Sequence, residues 1–453
     1  MKAIGIIAEY NPFHNGHAYQ IREIKKRTGA AYVVAAMSGN FVQRGAPAIV
    51  DKYARADMAL RCGADLVIEL PVTWAVSSAE AFAWAGITLF EKMGCVDGVC
   101  FGAETDDLAL LARIADILAE EPKSYREAFA SHIRAGVSFP AARMRALRDV
   151  AARRETAAFT DGRENSAPHA QSVFSEDELT LALGSPNNIL AIEYLKAMKR
   201  RKSPLKPLLL KREGAGYHDT ALSPLASATA IRHALSLSDG TVSPKASFAH
   251  LDNAMPKPAL AVLRDCLLNA PALRSDDFSS VLGWRLLSLG RTELAHIYDM
   301  TPEIAARLSK NSSRFCSFSQ FCALMKSRDI TYTRMSRILT HLLLDITDET
   351  VALGRSLDAV PYLRILGFCE SSTPLLTALK ASATVPVISK LADAGSLLEK
   401  SAYRFLEKDI FAAELYAQTQ AVKAGRPLPV SEFKRQIVRV KNTVTPATKK
   451  SAD

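Results

Sequence analysis

The sequence predicts an α/β fold in which a Rossmann-like domain with a parallel sheet precedes a mainly α-helical C-terminal domain. Over the first 110 residues, short apolar runs alternate with segments of helical periodicity, which is typical of βαβ units. The apolar runs lack polar alternation, as expected for parallel strands that are covered on both faces. Beyond about residue 245 the strand signals fade and amphipathic helical segments dominate, so the second domain is predicted to be helical.

Each predicted strand is an apolar run bounded by turn residues, and the runs cover residues 3–10, 31–38, 64–71, 96–104 and 205–212. Helices of the first domain are predicted at 18–27, 51–62, 77–93, 107–149, 185–200 and 227–235. The helix at 185 has Ser185 or Asn187 as a cap and Pro186 near its first turn, where proline is favoured. Helices of the second domain are predicted at 258–269, 279–289, 302–309, 334–345, 388–394 and 399–421.

The chain of 453 residues is long enough for two domains and a tail. We place the first domain at residues 1–245. Within it, residues 151–176 are polar and aperiodic, which predicts a flexible loop. We place a basic helical domain at residues 246–440 and a disordered tail at 441–453.

Composition narrows the class of protein. The net charge of +10 favours a polyanionic partner, and a hydrophobic content of 48% argues against a disordered chain. Seven cysteines are scattered without metal-ligand spacing, which predicts reduced thiols and no zinc site. No signal peptide and no apolar window of the ~20 residues needed to cross a bilayer is found, so we expect a cytoplasmic protein without a membrane partner.

The clearest chemical signal is the segment EYNPFHNGH at residues 9–17, where the first predicted strand gives way to a helix. Ligands of doubly wound sheets bind beyond the carboxyl ends of the strands, and the N–H groups of a helix N-terminus attract anions. Gly16 lets the backbone approach a phosphate closely, and His14 and His17 can donate hydrogen bonds to charge that builds in a transition state. The alternative is a pair of capping or core histidines, which this location disfavours.

A second motif, SATAIR at residues 227–232, opens a later helix. Ser227 and Thr229 provide hydroxyls at the helix start, and Arg232 lies one turn further on. Together with the helix N–H groups they would form a second phosphate site. The alternative is an ordinary Ser/Thr cap beside a surface arginine, and the joint occurrence with HNGH favours the phosphate site.

These two motifs, in this order, resemble those of the HxGH nucleotidyltransferase superfamily, whose members carry an HxGH loop after the first strand and a Ser-Ser-Thr-x-x-Arg-like motif late in the domain. Here Ala228 replaces one hydroxyl of the usual pair. Further segments resemble the bacterial tRNA(Met) cytidine acetate ligase family over most of the chain, among them GIIAEYNPFHNGH, MSGNFVQRGAP, GADLVIELP, FGAE, SPNNIL, KREGAGYHD, YTRMSRILTHLLL and PYLRILGF.

The resemblance implies an enzyme that uses ATP to activate acetate as acetyl-AMP, releases pyrophosphate and transfers the acetyl group to the wobble cytidine of elongator tRNA(Met), giving N4-acetylcytidine. It implies that His14, His17, Thr229 and Arg232 are catalytic. The nucleotide-binding positions, with Ser227 added from the second motif, are Ile7, Ala8, Glu9, Tyr10, Asn11, Pro12, Phe13, His14, Asn15, Gly16, His17, Ala18, Tyr19, Gln20, Gly102, Asn187, Arg212 and Ser227. Asn188 is the alternative to Asn187.

Two groups of polar residues are lesser candidates. Candidates for holding acetate, phosphate or RNA follow the second strand and are Ser38, Asn40, Arg44 and Lys52. Basic residues attract RNA phosphates regardless of sequence, and the tRNA-binding candidates are Lys199, Arg200, Arg201, Lys202, Arg334, Arg337, Lys434 and Arg435. For each single basic residue, a solvated surface position is the alternative.

The expected partners are elongator tRNA(Met), ATP and acetate, and no obligate protein partner is inferred. Mg²⁺ is expected to arrive on the ATP phosphates, because no carboxylate cluster has clear metal-ligand spacing. Two other functions stay open. A cofactor-biosynthetic adenylyltransferase would leave the basic helical domain unexplained, and a non-catalytic RNA-binding protein would not need the intact His14, Gly16, His17 and Arg232.

Overall fold

A computed structural model of the chain describes residues 2–160, 174–212, 226–236, 248, 251–428 and 430–441, with the backbone alone for residues 151–160. The strands are Ala3–Ala8 (β1), Tyr32–Ser38 (β2), Phe41–Val42 (β3), Ala46–Pro47 (β4), Leu66–Leu70 (β5), Gly98–Ala103 (β6), Lys206–Lys211 (β7), Leu363–Cys369 (β8), Val387–Ile388 (β9) and Val438–Val440 (β10). Within these ranges, eight strands form one sheet in the order β10-β8-β5-β2-β1-β6-β7 with β9 beside β8, and β3 and β4 form a separate hairpin.

The sheet is parallel except at one pair. β1 pairs parallel with β2 and β6, and β7 continues parallel from β6, whereas β8 runs antiparallel to β5. Because β2 and β6 lie on opposite sides of β1, the winding of the chain reverses at β1. Ligands of doubly wound folds bind at such a switch point, so the end of β1 is the expected site. The prediction of an α/β fold with a parallel sheet is confirmed.

Helices precede and follow the strands along the whole chain. In the first half they are Asn15–Thr28 (α1), Lys52–Arg61 (α2), Val72–Ala75 (α3), Ala79–Met93 (α4), Leu108–Glu120 (α5), Lys123–Arg134 (α6), Phe139–Thr160 (α7), Glu176–Gly184 (α8), Pro186–Arg201 (α9) and Ala228–Ser236 (α10). In the second half they are Lys257–Asn269 (α11), Ser279–Ser288 (α12), Arg291–Leu294 (α13), Pro302–Asn311 (α14), Phe318–Met325 (α15), Tyr332–Leu344 (α16), Asp348–Ser356 (α17), Thr373–Ser382 (α18), Ala394–Leu397 (α19) and Lys400–Lys423 (α20).

Both faces of the sheet are buried at its central strands, as the apolar runs predict. In β2, Val33, Ala35 and Met37 belong to an apolar cluster that contains residues of α1, α2 and α11. Val34 and Ala36 belong to the cluster on the other face, together with residues of α4. Successive side chains of a strand point to opposite faces of the sheet. A strand that is covered on both faces is therefore expected to be apolar along its length.

Three strands come from the region predicted to be helical. β8, β9 and β10 extend the sheet beyond β5, so the prediction that strand signals end near residue 245 is wrong for these segments. Residues 388–394, predicted as a helix, contain the end of β9 and a short 3₁₀ turn. A short apolar run can form either a strand or a buried helix, so the sequence pattern alone does not distinguish them. Here the unpaired edge of β5 is available for pairing, and these segments form strands. The domain limits at residues 245 and 440 stay predictions.

The predicted loop at residues 151–176 is wrong at its start. Helix α7 continues to Thr160, and Ser175 caps α8 through a hydrogen bond from the backbone of Glu178. Residues 161–173 and most of the predicted tail, residues 442–453, lie outside the described residues. The polar stretch at 151–160 has no apolar stripe, which is why its sequence resembles a loop. Within the described ranges, no helix has the length and apolarity that a membrane crossing requires.

Candidate active site

A cavity of about 560 Å³ opens at the carboxyl ends of β1 and β6, beside the start of α1. Its walls come from the β3–β4 hairpin, the starts of α9, α10 and α16 and the residue after β7. The predicted site residues that line it are Ile7, Ala8, Glu9, Tyr10, Asn11, His14, His17, Gln20, Arg44, Gly102, Asn187, Arg212, Ser227, Thr229, Arg232 and Arg337. Segments far apart in the chain thus meet at the switch point of the sheet.

Two stacked imidazoles stand at the start of α1. His14 is the helix cap, and its Nδ1 accepts a hydrogen bond from the backbone N–H of Gly16 at 3.1 Å. The Nδ1 of His17 accepts from the backbone N–H of His14 at 3.2 Å, and the ring centroids are 3.7 Å apart. Because each Nδ1 acts as an acceptor, we assign the proton of each neutral ring to Nε2. Both rings therefore retain an Nε2–H group that can donate to a ligand.

Burial keeps both imidazoles neutral. Burial lowers the pKa of His14 to about 3, with the nearby Arg212 and Arg232 adding to the effect. Burial also lowers the pKa of His17 well below its usual value, with His14 and Arg212 contributing. At neutral pH the two rings are uncharged hydrogen-bond donors, and the positive charge of this wall comes from the arginines.

We expect acid to destabilise the fold, because three buried histidines have a lowered pKa in the folded protein. They are His14, His17 and His341, and burial lowers the pKa of His341 to about 4. These side chains bind protons near pH 6.5 only after the protein unfolds. The unfolded chain then binds more protons, so the free energy of unfolding decreases below pH 6.5, by at most about 1.4 kcal/mol per pH unit for each histidine. Urea unfolding between pH 7.5 and 5.5 measures this effect. His341→Asn should reduce the slope, and a pH-independent midpoint would contradict the expectation.

The SATAIR motif meets the histidine loop through an arginine. Arg232 donates from Nη1 to the backbone carbonyl of Asn11 at 2.6 Å and from Nη2 to Thr229 Oγ1 at 3.0 Å. Ser227 Oγ accepts a hydrogen bond from the backbone N–H of Ala230 at 3.2 Å, which caps α10. The start of α10 and the end of β1 therefore form one wall of the cavity, with the guanidinium of Arg232 between them.

The opposite end of this wall contains a glycine and an asparagine. A Cβ on Gly102 would lie 3.1 Å from Cγ of Arg212, so glycine permits the close approach of that side chain. Asn187 lines the cavity and donates to Glu104 Oε1 at 2.6 Å. Asn188 is fully buried, and its Oδ1 accepts from the backbone N–H of Glu104 at 2.8 Å. Of the two asparagines, only Asn187 faces the cavity.

Some predicted nucleotide-binding residues do not line the cavity; they are Pro12 and Phe13, which precede α1, and Asn15, Gly16, Ala18 and Tyr19, which lie on α1. Phe13 is fully buried in the core, and the Asn15 amide donates to the carbonyl of Asn253 at 2.8 Å. Gly16 acts indirectly, since a Cβ there would lie 2.9 Å from Cε1 of His14. The three-residue spacing of His14, His17 and Gln20 places these side chains on one helix face.

Of the candidates after the second strand, only Arg44 reaches the cavity. Ser38 is fully buried, and Asn40 accepts from the backbone N–H of Lys52 at 2.7 Å. The Lys52 ammonium is fully buried, 2.8 Å from Glu69 and 2.7 Å from Glu432. The prediction that Lys52 contacts a ligand is therefore wrong, because it is one member of a buried ion cluster.

That ion cluster joins α2, the sheet and the C-terminal segment. Arg364 of β8 lies 3.1 Å from Glu69 of β5 and 2.6 Å from Glu432. Despite burial, Lys52 and Arg364 lower the pKa of Glu432 to about 2. The four side chains balance two positive and two negative charges inside the protein, which is the condition for burying them.

Most tRNA-binding candidates have carboxylate partners. The pairs are Lys199–Asp116 at 3.0 Å, Arg200–Glu121 at 3.0 Å, Arg201–Glu91 at 2.6 Å, Arg334–Asp299 at 2.8 Å and Arg435–Asp51 at 2.7 Å. Lys202 and Lys434 are exposed, and Arg337 lines the cavity. The basic run near residue 200 is thus largely neutralised in space, because its acidic partners come from other helices.

Several lining residues have no recognisable functional signal in the sequence. Phe82, Leu190 and Tyr194 form an apolar wall, and they look like core positions in any helical pattern. Gln43 donates from its backbone N–H to Glu9 Oε1 at 3.0 Å. Thr333 enters from the first turn of α16. Gln43 is next to Arg44, Thr333 is next to Arg334 and Leu190 lies in SPNNIL, whereas Phe82 and Tyr194 are not in any of the predicted site motifs.

Comparison with known proteins agrees with this geometry. The family described as HIGH Nucleotidyl Transferase matches residues 1–427. The tRNA(Met) cytidine acetate ligase of Caldanaerobacter subterraneus subsp. tengcongensis is 38% identical over 418 residues, covering 92% of this chain and 95% of that protein. The ligase of the same name from Acetivibrio thermocellus is 35% identical over 441 residues, covering 97% of this chain and 100% of that protein.

Solved structures show the same similarity. Apo Thermotoga maritima TmcAL matches with a TM-score of 0.87 and 26% identity, covering 98% of this chain and 100% of that chain. A structure of that protein bound with alpha-thio ATP matches with a TM-score of 0.85, at the same identity and coverage. From these matches along nearly its whole length, the chain belongs to the HIGH nucleotidyltransferase family and, within it, to the tRNA(Met) cytidine acetate ligases.

Proposed function

We propose that this protein is an ATP-dependent tRNA(Met) cytidine acetate ligase that forms acetyl-AMP and then acetylates N4 of the wobble cytidine of elongator tRNA(Met). The observation that carries the proposal is the cavity in which His14, His17, Arg212 and Arg232 converge at the switch point of the sheet. The names of the relatives and the alpha-thio ATP in the Thermotoga structure support the substrates.

In the first step, an acetate oxygen attacks the α-phosphorus of ATP while the bond from that phosphorus to the bridging oxygen of pyrophosphate breaks. Acetate is already an anion at neutral pH, so this step needs no general base. It needs alignment, and stabilisation of the charge that moves onto pyrophosphate. The Nε2–H groups of His14 and His17 and the guanidinium of Arg232 are suited to that charge.

In the second step, the cytidine N4 amine attacks the acetyl carbon, the carbon–oxygen bond to AMP breaks and N4 loses a proton. The lone pair of this amine is delocalised into the ring, which makes it a weak nucleophile. A mixed anhydride with AMP as leaving group compensates for this weakness. The chemistry therefore explains why ATP is consumed to form an amide on a base.

The adenosine part of ATP would occupy the wall formed by Gly102, Asn187 and the apolar side chains of Leu190 and Tyr194. Glu9 is the one carboxylate among the described lining residues, and no group of three potential metal ligands occurs in the part of the chain that the structure describes. These residues do not form a protein metal site. Any Mg²⁺ would be held by ATP phosphates and water, which is how this ion commonly binds.

Purified protein tests the proposal in two assays. ATP–pyrophosphate exchange should depend on acetate, and an unmodified transcript of elongator tRNA(Met) should gain one acetyl group on the wobble cytidine. A transcript with uridine at that position is the matched control and should remain unmodified. Exchange that does not depend on acetate but requires a phosphorylated cofactor precursor would instead indicate an adenylyltransferase. The absence of exchange with every substrate would indicate a non-catalytic RNA-binding protein.

A further inference from the structure

The acetyl transfer of the proposed function releases a proton from N4 of the cytidine, and few side chains of the cavity can accept it. Arginines stay protonated in proteins, so those that line the cavity donate hydrogen bonds and do not take up protons. Burial raises the pKa of the phenols of Tyr10 and Tyr194, which line the cavity as neutral groups. Apart from these side chains, the titratable groups of the described lining are His14, His17 and Glu9.

The two histidines are poorly suited to accept this proton. The Nδ1 atoms of His14 and His17 already accept hydrogen bonds from backbone N–H groups, and each Nε2 carries the proton of the neutral ring. Burial lowers the pKa of both rings, so a second proton on either ring is disfavoured. The histidines therefore act as hydrogen-bond donors, and the proton acceptor lies elsewhere in the cavity.

Glu9 is the remaining candidate, and its carboxylate is held in place. The backbone N–H of Gln43 donates to Oε1 of Glu9 at 3.0 Å, and the side-chain amide of Gln43 donates to the carbonyl of Ser77 at 3.0 Å. The backbone carbonyl of Glu9 accepts from Nη1 of Arg55 at 2.6 Å. Within the described ranges, no residue donates a hydrogen bond to Oε2 of Glu9, so this oxygen can accept from a substrate N–H group.

Glu9 lies on the face of the sheet that α4 and α9 cover. Ile7 of β1 occupies the space where a Cβ of Gly86 in α4 would lie, so its side chain points to that helix. Alternate residues of a strand share a face, and Glu9 continues this row just beyond the end of β1. Burial raises the pKa of Tyr194 in α9, and the charge of Glu9 adds to this effect, which agrees with a carboxylate on the same face.

The groups that stabilise pyrophosphate come from the other face. Helices α1 and α10, which carry the two histidines and Arg232, contribute to an apolar cluster that contains no residue of α4. In an in-line displacement, the attacking and leaving oxygens lie on opposite sides of the phosphorus. With pyrophosphate bound by His14, His17 and Arg232, acetate attacks from the side of α4. The acetyl group of acetyl-AMP then lies on the same side as Glu9.

We propose that Glu9 is a catalytic residue of acetyl transfer, the base that accepts the proton of the cytidine N4 amine. This inference rests on the proposed function. As N4 forms its bond to the acetyl carbon, the bond from that carbon to the oxygen of AMP breaks and AMP leaves with the electron pair. The N4 proton moves to Oε2 of Glu9 and passes to water after the products leave. A positioned carboxylate accelerates this step because the amine becomes acidic as its lone pair is used.

Glu9→Gln tests the proposal, because the amide keeps an oxygen for the Gln43 N–H group and nearly the same volume but is not a base. Preformed acetyl-AMP and a transcript of elongator tRNA(Met) are mixed with excess enzyme, and acetylation is followed in a single turnover. The maximal rate should fall about 10²–10⁴-fold, and this loss should exceed any loss of acetate-dependent ATP–pyrophosphate exchange by about 10-fold or more.

Glu9→Ala provides a second measurement that a purely structural role would not affect. The shorter side chain leaves space for a small external base, so sodium formate should raise the single-turnover rate of this variant. Formate should not raise the rate of Glu9→Gln or of the wild-type protein. Because ATP is absent from this assay, formate is not activated as a substrate. A Glu9→Ala rate that does not respond to formate would contradict the role of Glu9 as a base.

Glu349→Gln is the control, since Glu349 pairs with Arg404 at the exposed surface, and it should change neither assay. Unfolding temperatures of all variants establish that they fold. An unchanged single-turnover rate in Glu9→Gln would assign the proton to AMP or water and overturn the proposal. Exchange that falls as far as acetyl transfer would assign Glu9 to nucleotide binding and also overturn it. A failure of the proposed function itself is distinguishable, because the wild-type protein would then show no acetate-dependent exchange.

Discussion

Replacing His17 with alanine is expected to reduce acetate-dependent ATP–pyrophosphate exchange by about 10²–10³-fold, because a preorganised donor to the developing charge is lost. The same loss is expected for His14→Ala. Both rings are neutral through burial and use Nδ1 to accept a backbone hydrogen bond, so Nε2–H is the group that faces charge on the phosphates. Exchange of labelled pyrophosphate into ATP measures this step without tRNA.

His14 needs a matched control because it also caps α1. Alanine removes both the cap and the donor, and loss of a cap alone costs about 1 kcal/mol of stability. His14→Asn retains an oxygen for the Gly16 N–H group and removes the Nε2–H donor, so it should fold normally and still lose exchange. Filter binding of tRNA should be unchanged for every histidine variant. Lost tRNA binding with normal exchange would contradict the role given to these rings.

Replacing Lys52 with methionine is expected to lower the free energy of unfolding by about 3–5 kcal/mol, because breaking a buried ion pair leaves uncompensated charge inside the protein. Glu69 and Glu432 would then share Arg364 as their cationic partner within the cluster. Urea unfolding at neutral pH measures the loss. A second change, Glu432→Gln, should recover part of it in the double variant, because it restores the charge balance.

An exposed ion pair gives the comparison for this prediction. Arg404→Ala removes the partner of Glu349 on the surface, where such pairs contribute about 0–1 kcal/mol. Since Lys52 does not line the cavity, exchange per folded molecule should be unaffected by Lys52→Met at temperatures below unfolding. A fully stable Lys52→Met variant that has lost exchange would show instead that Lys52 acts on substrate.

Local signals in the sequence were sufficient for the centre of the fold. β1, β2 and β6 are each a short run without charged residues, and β5 and β7 are mostly apolar runs; the order of strand and helix predicted the parallel sheet. The His14–His17 spacing is also local, because three residues along a helix place two rings on one face. The start of α1 was predicted at Ala18, three residues late, because histidine is an uncommon cap.

What the sequence could not reveal depends on contacts between distant segments. Lys52 pairs with Glu432, and Arg201 pairs with Asp358, which lies 157 residues further along the chain, so neither basic residue could be recognised as paired. The sequence of β8 is apolar enough to form either a strand or a buried helix. It forms a strand because it pairs with the edge of β5. Likewise, Arg44 and Arg337 line the same cavity although they are nearly 300 residues apart, because Gly45 packs against α16.

The antiparallel pairing of β5 with β8 has a consequence for how this protein is made. β8 begins about 290 residues after β5 ends, so at a synthesis rate of ~5–20 residues per second the ribosome needs roughly 15–60 s to supply the partner. During that interval the nascent sheet presents β5, with the sequence LVIEL, as an open edge. Until β8 and the C-terminal segment are synthesised, Lys52 is the one cation of the buried ion cluster that Glu69 can pair with, because Arg364 comes later in the chain. We therefore expect the ion cluster to be completed last, together with the edge of the sheet.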